Sequence, residues 1–264
     1  MGLFGKKKEA EYCAICGKEK KSGLLRGLFQ ESVDGRYVCN ECYGKVDISA
    51  TILNTMSIDE FKNYLIFRED NVKLKEHFQA TSIIDLGMLD TKIIFDRKNG
   101  FVCFDKSLEK TIFERKHIRS FEIREDEHII FQGSAEGLFS YETKVVSTIH
   151  AMKPEFEQFL TEHKQFDEQF RHMNENQQAE VCDKEPRFKT EEPFRNFIVV
   201  IYFDHPYWDK MTVDMSGPKF NEIKPNAEDY LAEYRRGYYT MEQLANEFMA
   251  FAFVGMHHEM TNME

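Results

Sequence analysis

The sequence predicts an α+β protein, in which a small N-terminal zinc ribbon or knuckle precedes an antiparallel β barrel-like domain with a helical insertion and a C-terminal helix. Three observations predict this organisation. Four cysteines stand in two close pairs within the first 42 residues. Short β-branched and aromatic runs recur at roughly ten-residue spacing from residue 81, which is typical of antiparallel strands. The last apolar pattern, which begins near Asn226, has the period of a helix.

The cysteine pairs predict one bound zinc ion. Cys13 and Cys16 form the first pair, Cys39 and Cys42 form the second, and 22 residues lie between the pairs. Two intervening residues let both sulfurs of a tight turn point at one metal, and two such turns complete a tetrahedral shell. The spacing slightly exceeds the usual window of about 15 to 20 residues. Four thiolates leave no position for water, so the zinc is expected to be structural rather than catalytic.

Other uses of paired cysteines fit the sequence less well. The segment Met1 to Gly5 is too short for the apolar region of a secretory signal, which favours a reducing cytoplasm over disulfide formation. A thioredoxin-like protein needs one reactive CxxC pair, whereas here a second pair stands at ligand distance. Iron–sulfur ligation stays open by residue type, although the regular pairing favours zinc.

The residues around the ligands predict a metal-dependent module over residues 1–46. Gly17 follows the second cysteine, where a turn beneath a metal often needs a positive φ. The dipeptide Asp34-Gly35 predicts a hairpin that brings the second cysteine pair back on its returning strand. About forty residues with few apolar side chains are too few for an independent core, so metal binding should supply much of the folding free energy.

A connecting helix is predicted over residues 47–80. Ser57 and Glu60 have the spacing of a capping box, in which each side chain satisfies a free backbone donor of the other residue. The charged positions of this helix are expected to face solvent. Its apolar stripe is interrupted and consists of Ile58, Phe61, Leu65, Val72 and Phe78.

The β domain is predicted over residues 81–132 and 194–254. Turn residues separate its strands, as at Lys98-Asn99-Gly100, and favour antiparallel pairing. The predicted strands are Thr81 to Leu86, Thr91 to Phe95, Phe101 to Phe104, Thr111 to Phe113, Ile118 to Ile123, His128 to Phe131, Phe194 to Phe203 and Met211 to Met215.

Residues 133–193 are predicted to be an insertion in the β domain. Pro154 to Ala179 has helical composition, with Pro154 acceptable in a first turn, and Asn174 to Glu192 is polar enough for a loop. The side chain of Asn226 is expected to cap the C-terminal helix, and residues 255–264 are expected to form a tail.

Charge disfavours a general nucleic-acid-coating role. The formal net charge is -11. Residues 1–46 alone are basic, with nine Lys or Arg residues against six Asp or Glu residues. Four thiolates and one divalent ion would lower this excess to about +1. The longest apolar run, Phe197 to Phe203, is far shorter than the roughly 18 residues of a membrane-spanning helix, so no transmembrane segment is predicted.

The order of these parts resembles an uncharacterised bacterial family that carries an N-terminal zinc-ribbon-like domain of unknown function. The resemblance lies in the paired cysteines after a Met-Gly-Leu-Phe and lysine start, in the helix containing Tyr64 to Asn71, and in the strands with Phe95-Asp96 and Ile118 to Glu122. Several short strands followed by a long helix are also similar to a pleckstrin-homology (PH) or GRAM-like β barrel. The resemblance implies a metal-binding adaptor or signalling accessory without known catalytic residues.

No catalytic constellation is visible, so the protein is expected not to be an enzyme. His257-His258-Glu259 lacks the His-Glu-x-x-His pattern of zinc proteases. Cys103 stands on an alternating strand, where a buried small side chain is expected, and Cys182 stands in a polar stretch without an evident base. The only tryptophan, Trp208, belongs to an aromatic turn that is expected to pack against the final helix.

Two classes of function therefore fit the sequence. In the first hypothesis, the protein is a cytoplasmic interaction module that presents its knuckle and β domain to a protein partner, or to an acidic lipid head group at a membrane surface. In the alternative, the zinc ribbon binds nucleic acid in a regulatory role. The candidate contacts for nucleic acid or another partner are Lys18, Lys20, Lys21, Arg26 and Arg36.

Overall fold

The computed structural model describes residues 11–20, 32–48, 50–87, 91–104, 111–253 and 261–263. The predicted contacts Lys21 and Arg26, and the motif His257-His258-Glu259, lie outside the described residues. The chain divides into two compact units. The first contains residues up to 82 together with 94–114 and 205–209, and the second contains residues 83–93, 115–204 and those from 210 onward.

The N-terminal hairpin forms as predicted. Strands β1 (Ser32–Val33) and β2 (Arg36–Tyr37) are antiparallel, with Val33 opposite Arg36. Asp34 and Gly35 both have positive φ, +53° and +69°, which is the conformation that a two-residue type I′ turn requires. The short helices α1 (Asn40–Tyr43) and α2 (Ala50–Leu53) follow.

Helix α3 (Ile58–Lys75) begins where the capping box predicts. The Ser57 Oγ accepts a hydrogen bond from the Glu60 backbone N–H at 3.2 Å, and the Glu60 carboxylate accepts one from the Ser57 N–H at 2.7 Å. The predicted stripe is wrong at Val72, which is 51% exposed. Asn71 is buried in its place, because its side chain both donates to and accepts from the backbone of Ile112.

The strands after α3 form a four-stranded sheet. Its order along the sheet is β3-β4-β5-β6, with β3 (Ser82–Asp85), β4 (Lys92–Asp96), β5 (Phe101–Cys103) and β6 (Ile112–Glu114). The predicted turn at Asn99 forms between β4 and β5, where the buried Asp96 carboxylate accepts hydrogen bonds from the Asn99 backbone and side chain. Burial opposes ionisation of Asp96, but the hydrogen bonds from the Gln79 backbone and from Asn99 outweigh it and lower the pKa of Asp96.

A six-stranded sheet follows a 3₁₀ turn at Arg115–His117. The remaining elements in chain order are β7 (Ile118–Glu125), β8 (His128–Ser134), β9 (Gly137–Tyr141), α4 (Val145–Ala151), α5 (Lys153–Arg171), α6 (Glu175–Val181), a 3₁₀ turn (Cys182–Lys184), β10 (Asn196–His205), β11 (Trp208–Ser216), α7 (Ala227–Ala252) and β12 (Thr261–Met263). The order of the strands along the sheet is β11-β10-β7-β8-β9-β12.

Helix α7 packs on the six-stranded sheet inside the second unit. The Asn226 side chain accepts hydrogen bonds from the N–H groups of Glu228 and Asp229, as predicted for its cap. The buried ring of Phe248 stacks on that of Phe121 with 5.1 Å between centroids. Gly133 permits this packing, because a Cβ there would stand 2.2 Å from the Phe121 ring.

The structure confirms the mixed α and β composition and the predominantly antiparallel pairing, although β12 pairs with β9 in parallel. A closed barrel is not confirmed, because β11 and β12 lie at opposite edges of an open six-stranded sheet and the remaining described strands pair elsewhere. The predicted helix at Pro154 is α5. The predicted loop over Asn174 to Glu192 is wrong in its first part, which forms α6 and a 3₁₀ turn. The domain boundaries remain predictions.

A buried carboxylate in the second unit carries a pH prediction. Glu125 is 4% exposed, and its oxygens accept hydrogen bonds from the hydroxyls of Tyr234 at 2.6 Å and Thr143 at 2.8 Å. Burial raises the pKa of Glu125 despite these donors. Because its pKa is raised in the folded state, Glu125 favours folding when it is protonated. Its contribution to stability is complete below the pKa of the unfolded state and is lost as pH rises through the pKa of the folded state.

Glu125→Gln is therefore expected to be more stable than the parent chain at neutral pH, and this advantage should fade as pH falls. Urea denaturation between acidic and neutral pH measures the difference. Glu127→Gln removes an exposed carboxylate, whose side chain is 96% exposed, and controls for the change in net charge. Equal pH dependence in the parent and the Glu125 variant would contradict the prediction.

Candidate metal centre

The first cysteine pair lies in a tight turn of the backbone. The N–H of Gly17 donates to the Cys13 carbonyl, and the N–H of Cys13 donates to the Lys18 carbonyl, both at 2.9 Å. Gly17 has φ +71°, the left-handed conformation that was expected there and that glycine adopts at least cost. The turn thereby places the side chains of Cys13 and Cys16 on the same site.

The second pair lies at the start of α1. Cys39 is the N-cap residue, and its carbonyl accepts hydrogen bonds from the N–H groups of Cys42 and Tyr43.

Hydrogen bonds from backbone N–H groups join the two halves of the knuckle. The Ala14 N–H donates to the Tyr37 carbonyl at 2.8 Å, and the Cys39 N–H donates to the Cys13 Sγ at 3.3 Å. The β1–β2 hairpin thus returns the chain to the first pair.

The four sulfurs converge on one point. The Sγ atoms of Cys13, Cys16, Cys39 and Cys42 all lie within 4.8 Å of one another, and those of Cys16 and Cys39 are 3.6 Å apart. A tetrahedral site with metal–sulfur bonds of about 2.3 Å places its sulfurs about 3.8 Å apart. All four thiols are free, and 3.6 Å is far longer than a disulfide bond of about 2.05 Å. The cluster could therefore hold a metal ion.

The protein environment differs among the four thiols. Cys13, Cys39 and Cys42 are buried, whereas Cys16 is exposed. Burial disfavours the Cys13 thiolate, but backbone N–H groups of Cys16, Cys39 and Ile15 outweigh it and lower the pKa of Cys13 to about 6. Burial and the neighbouring sulfurs raise the pKa of Cys42. The backbone N–H donors around the Cys13 sulfur stabilise its thiolate, which is the form that binds a metal.

The core beneath the cysteines continues past residue 46. The cluster contains buried residues of the knuckle and of α3, among them Val33, Val38, Phe61 and Tyr64, each at most 1% exposed. Few apolar side chains were expected inside the module, and the structure supplies the missing ones from the segment predicted to be a connector. The metal site and α3 therefore share one hydrophobic core.

The aromatic turn around Trp208 also packs on this core. The ring of Tyr207 contacts that of Tyr64 edge-on, with centroids 5.0 Å apart, and the ring of Trp208 lies 5.8 Å from that of Phe67. The expected partner was the final helix, whereas the structure places Tyr207 and Trp208 against α3. Both rings remain half-buried.

A polar network fastens the segment that leaves the knuckle. The Asp47 carboxylate accepts hydrogen bonds from the hydroxyls of Tyr64 and Thr111 and forms an ion pair with Arg68 at 2.6 Å. Burial and the bond to Asp47 raise the pKa of Tyr64, so its hydroxyl stays a donor. The sequence does not predict this network, because Asp47 and Thr111 are 64 residues apart and neither belongs to a recognisable motif.

The described basic residues near the knuckle are largely compensated. Lys18 forms an ion pair with Glu41, and Lys20 forms one with Glu11 while its ammonium lies 5.0 Å from the centre of the Tyr37 ring. Arg36 is exposed on β2. Phosphate binding by Lys18 or Lys20 would have to compete with these carboxylates.

Among the described side chains, Cys103 is a cysteine that lies outside the four-sulfur cluster. Cys103 is fully buried on β5, as expected for a small core side chain. Within the described ranges, no helix combines the length and the apolar character needed to cross a bilayer.

No protein-family model, curated protein or solved structure matches this chain. Its function must therefore be inferred from the cysteine site itself.

Proposed function

We propose that this chain is a non-enzymatic interaction or adaptor protein whose four cysteines hold one structural zinc ion. The convergence of four sulfurs over a shared hydrophobic core carries the proposal. Zinc is favoured because four thiolates in two CxxC turns match its preference for a closed tetrahedral sulfur site. Zinc so bound would supply no reaction chemistry, and its contribution would be to fold the knuckle and fix the surface around it.

The proposed partner is another protein in the cytoplasm. The Lys18–Glu41 and Lys20–Glu11 pairs leave a knuckle surface of mixed charge, which suits a protein better than a polyphosphate. The resemblance to a PH- or GRAM-like domain rests on the short strands and the long helix α7 of the second unit, although its six-stranded sheet is open and not a closed barrel. Lipid head groups are a further partner that such a domain would imply.

Metal analysis tests the zinc assignment. Protein purified without chelator is expected to contain one zinc per chain by elemental analysis. Cys39→Ser should lose that zinc, because three thiolates and a hydroxyl form a much weaker site. Cys103→Ala, which removes a buried thiol outside the cluster, should retain it. Equal zinc content in the Cys39 variant and the parent would contradict the assignment. Iron in place of zinc in the purified protein would show that the four cysteines form an iron site.

Salt dependence separates the proposed partner from nucleic acid. Binding to a protein through a surface of mixed charge should change little between low and physiological salt. Binding to DNA or RNA through phosphate contacts would weaken steeply, because each contact releases counterions. Retention of the chain on a nucleic-acid column with a steep salt dependence, lost in Arg36→Ala, would overturn the protein-adaptor proposal.

A further inference from the structure

The four candidate ligands are not equally protected. Three of the sulfurs belong to buried cysteines, and the N–H of Cys39 covers the Sγ of Cys13 at 3.3 Å. Cys16 is exposed to solvent, whereas the other three cysteines are buried. Thiol oxidation follows thiolate character and solvent access, and a zinc-bound sulfur is a thiolate. Among the four, Cys16 is thus the ligand that a small oxidant reaches first.

The sulfur of Cys39 lies beside that of Cys16 and could form a disulfide bond with it. The Sγ of Cys39 lies 3.6 Å away, although Cys39 is buried and comes from the opposite half of the knuckle. A disulfide bond of about 2.05 Å would require the two sulfurs to approach by about 1.5 Å. That approach is small for a turn and a helix N-cap held by a few backbone bonds.

We propose that Cys16 is an oxidative modification site at which hydroperoxides convert the zinc knuckle into a metal-free disulfide form. This inference rests on the proposed structural zinc. The reaction partner is a small hydroperoxide such as hydrogen peroxide, and the product pair is Cys16–Cys39.

The chemistry balances in two steps. The Cys16 thiolate attacks one peroxide oxygen, the O–O bond breaks, and sulfenic acid and hydroxide form. The Cys39 thiolate then attacks the Cys16 sulfur, the S–O bond breaks, and a second hydroxide leaves as the disulfide forms. The two thiolates lose two electrons, which reduce the peroxide. Cys13 and Cys42 alone make too weak a site, so the zinc ion leaves and a thiol reductant can reverse the change.

The test uses the full zinc-loaded chain and hydrogen peroxide. Zinc content is measured first, release is then followed with a chromogenic chelator, and disulfides are mapped by peptide mass spectrometry at partial oxidation. Cys16→His is the decisive variant, because imidazole can replace the thiolate as a zinc ligand but cannot form a disulfide. Cys103→Ala controls for reaction at a thiol outside the site.

The expected result is zinc release together with a Cys16–Cys39 disulfide, both reversed by dithiothreitol and zinc. Cys16→His should slow release by about tenfold or more, since the most accessible thiolate is gone. Unchanged release in a zinc-loaded Cys16→His chain would overturn the inference, as would a parent chain that keeps its zinc or first forms a different disulfide. A parent chain without zinc before oxidation would instead overturn the proposed function and the inference with it. Should the histidine variant fail to load zinc, the mapped disulfide of the parent chain decides.

Discussion

Removal of the metal is expected to move the fluorescence emission of Trp208 to longer wavelength and to unfold the first unit. Trp208 is the only tryptophan, and it packs on the cluster that contains Cys13, Cys39 and Cys42. Structural zinc contributes about 10–16 kcal/mol of binding free energy in zinc-finger peptides, which matches or exceeds the roughly 5–15 kcal/mol of a whole domain. Without the metal, the apolar surface of the cluster should become solvated, and Trp208 with it.

Chelator titration with emission spectra and elemental analysis measures this effect. Zinc added back should restore the original emission, whereas magnesium should not, because it is a hard cation that prefers oxygen ligands. Chelator added to Cys39→Ser should change little, since that variant is expected to have lost its metal already. Unchanged Trp208 emission after verified loss of the metal would show that the aromatic turn does not depend on the knuckle.

The second large effect is expected from Phe61→Ala. Phe61 is fully buried on α3, in the same cluster as the cysteines, and its ring contacts that of Tyr64. Truncation of a buried phenylalanine costs about 3–5 kcal/mol, because contacts are lost and a cavity remains. Metal affinity should fall as well, since metal binding and folding of the shared core are linked.

Guanidinium denaturation of the zinc-loaded chains, followed at Trp208, measures the loss of stability, and competition with a chelator measures the affinity. Ile66→Ala is the matched control, because Ile66 lies on the same helix but is 57% exposed. Its expected change is within about 0.5 kcal/mol. A similar loss in both variants would contradict the prediction, because alanine itself favours a helix and the exposed Ile66 makes no contribution to the shared core.

Local chemistry made much of the structure predictable. The cysteine spacing identified four side chains that the structure brings within 4.8 Å. The Asp34-Gly35 dipeptide, the Ser57–Glu60 capping box and the Asn226 cap each predicted a turn or helix end that forms. In each case, residues a few positions apart specify the backbone, so the signal is contained in a short stretch of sequence.

The errors concern contacts between distant parts of the chain. Val72 fits the apolar period of α3, but its neighbour Asn71 is buried because the Ile112 backbone satisfies its amide. The apolar period of the helix does not predict that the Ile112 backbone bonds to Asn71. The packing of Trp208 and the bonds of Asp47 likewise join residues far apart in sequence. The same separation hid the core of the knuckle, most of which lies beyond residue 46.

The interleaved chain of the first unit has a consequence for folding during synthesis. Tyr64 and its ring partner Tyr207 are 143 residues apart. At elongation rates of about 5–20 residues per second, Tyr207 leaves the ribosome roughly 7 to 30 s after Tyr64. The cysteines are therefore made long before the rings that complete their core, and closure of so long a loop slows the last step of folding. Nascent chains should pass through a stage in which the knuckle can already capture metal while one side of its core remains uncovered.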